Sequence, residues 1–166
     1  MSHQSIFFEN TFLFKDIESD ITSEMLKSIK IEERNYSRGD TIYSPEDFER
    51  KLGFIVKGEC TVGRQVAGSV IPLNVAGKYD SFGILSCFSE RDDFPTVITA
   101  KTTCTVMFIY ADQLRILMEK SSRISVNIIE FLIRKINFLN DKIAAFSGSS
   151  IEEKLAGYIL ELHKKH

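Results

Sequence analysis

The sequence predicts a β sandwich or roll followed by helices, and three observations carry that prediction. Seven of the nine glycines lie between Gly39 and Gly83, and all three prolines lie between Pro45 and Pro95. The same stretch holds short apolar runs separated by turn signals. Beyond Tyr110 only Gly148 and Gly157 interrupt a long amphipathic pattern, which is the signature of helices.

The strands come first. Cys60, Val62 and Arg64 alternate with Thr61 and Gly63. Cys104, Val106, Phe108 and Tyr110 alternate with Thr103, Thr105, Met107 and Ile109, so both faces of that strand read as buried. Leu52 to Val56 and Val70 to Val75 are further apolar runs. Turn signals stand between them at Arg38-Gly39-Asp40, Lys57-Gly58-Glu59, Ala67-Gly68-Ser69 and Ala76-Gly77-Lys78. Many short strands at this spacing suit a sandwich or roll.

Helices flank the strands. Asp20 to Ile31 forms an amphipathic helix through Ile21, Met25, Leu26 and Ile29, and Asp112 to Lys120 forms a short one. A long helix runs from Arg123 to Phe146, with apolar positions at Ile124, Ile128, Leu132, Ile136, Leu139, Ile143 and Phe146. That near-heptad stripe predicts a seam between two copies of the chain. Ile129, Phe131, Ile133 and Phe138 widen it, so the helix needs more than one neighbour. Ser147-Gly148-Ser149-Ser150 ends it, and Ser149 or Ser150 caps a last helix carrying Leu155, Ile159, Leu160 and Leu162.

Composition excludes several function classes. The chain has 166 residues and a formal net charge of −2, so its overall charge does not draw it to nucleic acid. The longest uncharged stretch, Gln65 to Gly77, is too short and too polar to cross a bilayer. The N-terminus lacks a basic region and carries Glu9, unlike a secretory signal. Cys60, Cys87 and Cys104 are the three cysteines, widely spaced, which suits a reducing cytoplasm and small buried thiols. The three histidines, His3, His163 and His166, sit near the termini. No imidazole is available inside the roll for a metal or haem, and no Cys-His or Ser-His-Asp set forms. No iron–sulfur cluster is expected either. The sequence carries no sign of an enzyme.

Five segments taken in order resemble the effector domain of the Crp/Fnr family of bacterial transcription regulators. They are Tyr36 to Ile42, Gly53 to Val62, Ser81 to Leu85, Ala100 to Val106 and Ile151 to Ala156. The resemblance implies a mainly β fold with α: a double-stranded β-helix, the cyclic-nucleotide-binding-like jelly roll, then a long dimerisation helix and a short C-terminal helix. It divides the chain into 1–110 for the first helix and roll, 111–146 for the short and long helices, and 147–166 for the helix leading onward. Family members continue into a winged helix-turn-helix, so this chain reads as the sensor part of a longer regulator, or as a protein that lost its DNA reader. It would be a cytoplasmic homodimer, reaching DNA only through a domain absent here. Arg134, Lys135, Lys164 and Lys165 read as solvated surface.

The sequence departs from the family where ligand is held. Cyclic-nucleotide readers place a Glu after the cassette glycine for the ribose, and an Arg further on for the phosphate. Here Gly83 keeps its place, Ile84 stands for the Glu, and Phe94 and Pro95 fall at the Arg and the following hydroxyl residue. Arg91 lies out of register. A buried cyclic phosphate without a cation costs several kcal/mol. The expected effector pocket is Gly83, Ile84, Leu85, Ser86, Cys87, Phe94, Pro95, Thr96 and Val97, with Leu139 and Asn140 from the long helix. Two readings stay open: a pocket for an apolar small molecule of unknown identity, and a roll filled by its own side chains that serves as a dimerisation scaffold. A divergent cyclic-nucleotide sensor is the third.

Overall fold

A computed structural model describes residues 3–66, 68–90 and 94–146. The elements, in order, are α1 (His3–Glu9), α2 (Ser19–Lys27), β1 (Glu32–Tyr36), β2 (Thr41–Tyr43), a 3₁₀ turn at Pro45–Asp47, β3 (Lys51–Lys57), β4 (Cys60–Val66), β5 (Ser69–Ala76), β6 (Ser81–Phe82), α3 (Ile84–Phe88), β7 (Thr96–Ala100), β8 (Cys104–Tyr110), α4 (Ala111–Lys120) and α5 (Ser122–Phe146). The last predicted helix lies outside the described residues. The chain divides compactly after Ser125. The short helix α4 therefore belongs with the roll: Leu114 and Leu117 are fully buried, and Ala111 N–H donates to the Arg50 carbonyl at 2.9 Å.

Two four-stranded antiparallel sheets form the roll, ordered β1-β8-β3-β6 and β2-β7-β4-β5. Their facing sides bury one core that includes Ile42, Ile55, Phe82, Ile98, Val106 and Phe108. The other side of β3 is covered by the N-terminal segment, where Phe8 meets Phe54 edge-on at 5.2 Å and Phe12 stacks on it at 6.0 Å. This accounts for β8 being buried on both faces: Val106 and Phe108 join the core between the sheets, while Met107 and Ile109 alternate to the other side and are equally buried.

Helix α2 is shorter than its apolar spacing predicts and ends at Lys27, with Ile21 left 46% exposed. The Val70 to Val75 run is a strand, as expected, but not an interior one. It lies in edge strand β5, where Val70, Ile71, Leu73 and Val75 are exposed. Pro72 interrupts the donors of this edge, and the register shifts beside it, where Val62 pairs with Asn74 and Gly63 with Pro72, leaving Leu73 of β5 as an extra residue. Both features discourage a further strand from adding there.

The β3–β4 turn needs its glycine. Gly58 has φ +87°, and a Cβ there would lie 2.3 Å from the Thr103 carbonyl oxygen. Gly58→Ala therefore combines left-handed strain with a backbone clash, and is expected to cost about 2–3 kcal/mol. A lowered urea midpoint with an unchanged m-value would show it.

All three cysteines are buried. The Sγ atoms of Cys60 and Cys104 approach to 3.6 Å, and Cys104 donates to the Glu59 carbonyl at 3.1 Å. Burial pushes the Cys60 thiol up to about 12 and the Cys87 thiol up to about 11. A raised folded-state value means the fold holds the proton more tightly than the unfolded chain does. Stability from these thiols is complete below the ordinary value near 9 and is lost as pH climbs through 11 to 12. A thiol reagent at pH 8 should label no cysteine in the native protein and three in denaturant. Alkaline urea melts should show the falling limb, flattened in Cys87→Ala.

Candidate functional site

The cassette is built on a tight contact between two segments. Gly83 precedes α3 with φ +87°, and a Cβ at this position would lie 2.3 Å from the Lys51 carbonyl oxygen. Only glycine lets the chain turn so close to β3. The Gly83 carbonyl then accepts from Ser86 N–H at 3.0 Å and from Ser86 Oγ at 2.7 Å. Ile84, Ser86 and Cys87 turn inward and are buried, while Leu85 points out at 60% exposure. The Tyr43 hydroxyl reaches Ser86, and burial pushes its pKa above the ordinary phenol value.

Phe94 is held by other aromatics. Its ring stacks on Phe48 at 5.6 Å with planes only 10° apart. Phe48 in turn meets Tyr43 edge-on at 6.3 Å. Such pairs contribute about 0.5–1.5 kcal/mol each beyond the area they bury. Pro95 follows with its carbonyl accepting from Gln65 N–H at 2.8 Å. Thr96 and Val97 open β7 opposite Arg64 and Gly63 of β4, with Val97 buried. The nine cassette residues of the expected pocket thus lie on α3, β7 and the segments joining them. Leu139 and Asn140 are exposed positions of α5. Arg91 lies outside the described residues.

Sequence reasoning missed the neighbouring cation. Arg50 Nη1 donates to the Ser86 carbonyl at 3.1 Å and to the Ser89 carbonyl, and Nη2 to the Glu90 carbonyl at 3.4 Å. Its guanidinium also sits 5.6 Å from the Phe48 ring centre. Arg50 therefore closes the C-terminal end of α3 and is engaged by main-chain oxygens. No local pattern announces this role, because Arg50 and Ser89 are 39 residues apart.

The next residue is also committed. Lys51 is 2% exposed, pairs with Glu49, and lies 4.6 Å from the Phe108 ring centre. Nearby, Glu32 accepts from Arg34 Nε at 2.8 Å and from the Tyr110 hydroxyl at 2.7 Å. These bonds hold the Glu32 carboxyl below the ordinary carboxylate range. Phe48, Glu49, Arg50, Tyr110, Ala111 and Asp112 line an open depression of about 520 Å³. Among the described residues no group of three or more His, Cys, Asp or Glu side chains is placed to hold a metal ion. No described helix is long and apolar enough to cross a membrane.

On the long helix, Ile124 and Ile128 are buried and Leu132 is half-buried. Ile136, Leu139 and Ile143 are exposed, as are Val126, Ile129 and Ile133. The apolar surface thus splits into a stripe that is covered at its start and a second that is open along its length.

Known proteins agree with this architecture. No curated protein matches the sequence. Among solved structures, the catabolite activator protein of Thermus thermophilus superposes with a TM-score of 0.72 at 17% identity, over 82% of this chain and 63% of that one. The present chain therefore spans less than two-thirds of that protein's length. The sensor domain of the transcriptional regulator DNR from Pseudomonas aeruginosa gives 0.65 at 11% identity, over 79% and 91%. The regulatory domain of Toxoplasma gondii PKA, solved with cAMP, gives 0.63 at 12% identity, over 80% and 48%. The cyclic nucleotide-binding domain family matches residues 33–121, more than half of the chain. On that match, carried by a roll of the same architecture, the chain belongs to the cyclic nucleotide-binding domain family.

Proposed function

We propose that this chain is the effector-sensing and dimerisation part of a Crp/Fnr-type transcription regulator that does not respond to a cyclic nucleotide. One observation carries the reading. The phosphate position holds Phe94, stacked on Phe48, and the ribose position holds buried Ile84. A cyclic phosphate brought there would lose water and gain no bidentate partner. Two neighbouring cations among the described residues are engaged elsewhere: Arg50 on the carbonyls of Ser86, Ser89 and Glu90, and Lys51 on Glu49. A ligand suited to these walls is apolar or aromatic, and needs neither haem nor an iron–sulfur cluster.

The filled core favours a second reading, the ligand-free scaffold. Tyr43, Phe82 and Phe108 already occupy the space between the sheets. Both readings exclude catalysis and leave DNA to a separate domain, as in regulators of this type.

Thermal unfolding tests the loss of nucleotide binding. A ligand at a hundred times its Kd stabilises by about 2.7 kcal/mol, which for a domain of this size raises Tm by roughly 5–10 °C. Millimolar cyclic AMP or cyclic GMP should move Tm by less than about 1 °C. A rise of several degrees overturns the proposal. An apolar metabolite panel separates the two remaining readings, because only a sensor gains stability from one of its members. Sedimentation equilibrium tests the dimer: at tens of micromolar the mass should be twice 18.9 kDa, and a lone 18.9 kDa species contradicts it.

A further inference from the structure

We propose that Cys60 and Cys104 form a modification site: a reversible disulfide, made by a peroxide, that ties the two sheets of the roll together at one corner. The site stands whether or not the roll takes a ligand. Cys60 opens β4 in one sheet and Cys104 opens β8 in the other. They are 44 positions apart in sequence, yet their Sγ atoms lie 3.6 Å apart and both side chains are fully buried. A disulfide needs about 2.05 Å between the sulfurs, so they have to close by roughly 1.5 Å.

Topology puts the pair at a junction. Strand β3 of the first sheet passes to β4 of the second through Gly58 and Glu59, and β7 of the second returns to β8 of the first through Lys101 to Thr103. The two crossings are bonded to each other. The Glu59 carbonyl accepts from Lys101 N–H at 2.8 Å and from Thr102 N–H at 3.2 Å. Glu59 N–H donates to Thr102 Oγ1 at 2.9 Å, and Lys101 Nζ pairs with the Glu59 carboxylate at 2.9 Å. Cys104 lies directly beneath, with Sγ 3.1 Å from the Glu59 carbonyl and 3.2 Å from that of Thr102. Glu59, Lys101, Thr102 and Thr103 are exposed, so each cysteine is the first buried residue in from the surface. A brief local opening of this corner admits a molecule as small as hydrogen peroxide. Cys87 is placed differently, on α3 with its Sγ 3.7 Å from the Gly83 carbonyl.

The chemistry balances with peroxide as the two-electron oxidant. One thiolate attacks a peroxide oxygen, the O–O bond breaks, and the products are a sulfenic acid and hydroxide. The second thiol attacks the sulfenic sulfur, the S–S bond forms, and the hydroxyl leaves as water. In sum, two thiols and one hydrogen peroxide give one disulfide and two waters. Burial holds Cys60 as the thiol, which makes the reaction slow at neutral pH. Small thiols reverse it by exchange.

Thiol counting tests the site. The intact native chain is treated with hydrogen peroxide at about pH 8, then denatured and alkylated. One alkylatable cysteine should remain of the three, and the mass before alkylation should fall by about 2 Da. Peptide mapping should join position 60 to position 104, and dithiothreitol should restore all three thiols. Cys87→Ala should keep the link and leave no free thiol. Three thiols after peroxide overturn the site, as does a mass gain from sulfinic or sulfonic acid without a link. A link to Cys87, a link between two chains, or a 60–104 link that forms only in urea overturns it equally.

Discussion

The segment Phe48 to Lys51 is the constraint on which the candidate site depends. Three of its four residues reach different parts of the roll, and the fourth pairs within the segment. Phe48 stacks on Phe94. Glu49 pairs with Lys51. Arg50 holds the end of α3 with its guanidinium and the start of α4 with its carbonyl. Lys51 presents its carbonyl to Gly83 so closely that no side chain fits between them. The cassette is thus tied at its start by steric contact and at its end by charge-assisted hydrogen bonds. A small helix of five residues has little stability of its own, so its position is set by these ties.

Under the proposed function, aromatic packing stands where a family relative would hold an anion, and that changes what the roll can respond to. An Arg at the phosphate position is useful only when the ligand brings the countercharge, because the empty site leaves a cation partly desolvated. Phe94 has the opposite balance. Its stack with Phe48 is satisfied without ligand, and the roll gains nothing from an anion. On the proposed reading, the family fold is retained while the electrostatic reason for nucleotide binding is gone. The fold match and the site chemistry answer different questions, and similarity at 11–17% identity speaks to the fold alone.

Much of the roll was legible because its strands are short, apolar and separated by turn residues. The alternation read from Thr103 to Tyr110 matches β8 at its end and overshoots its start by one residue, and Gly58 lies in the turn expected there. Strand β1 carried no such signal. Its sequence is Glu32-Glu33-Arg34-Asn35-Tyr36, and its strand character comes from pairing with β8 and from the Glu32–Arg34–Tyr110 bonds. Helix α1 was missed for a related reason: seven residues are too few for a periodic pattern, and its phenylalanines act through distant rings. The edge position of β5 was not legible in its apolar run, because hydropathy alone does not tell an edge from a centre. At the site, the departures at Ile84 and Phe94 were visible by position, but the engagement of Arg50 depends on residues brought together by folding.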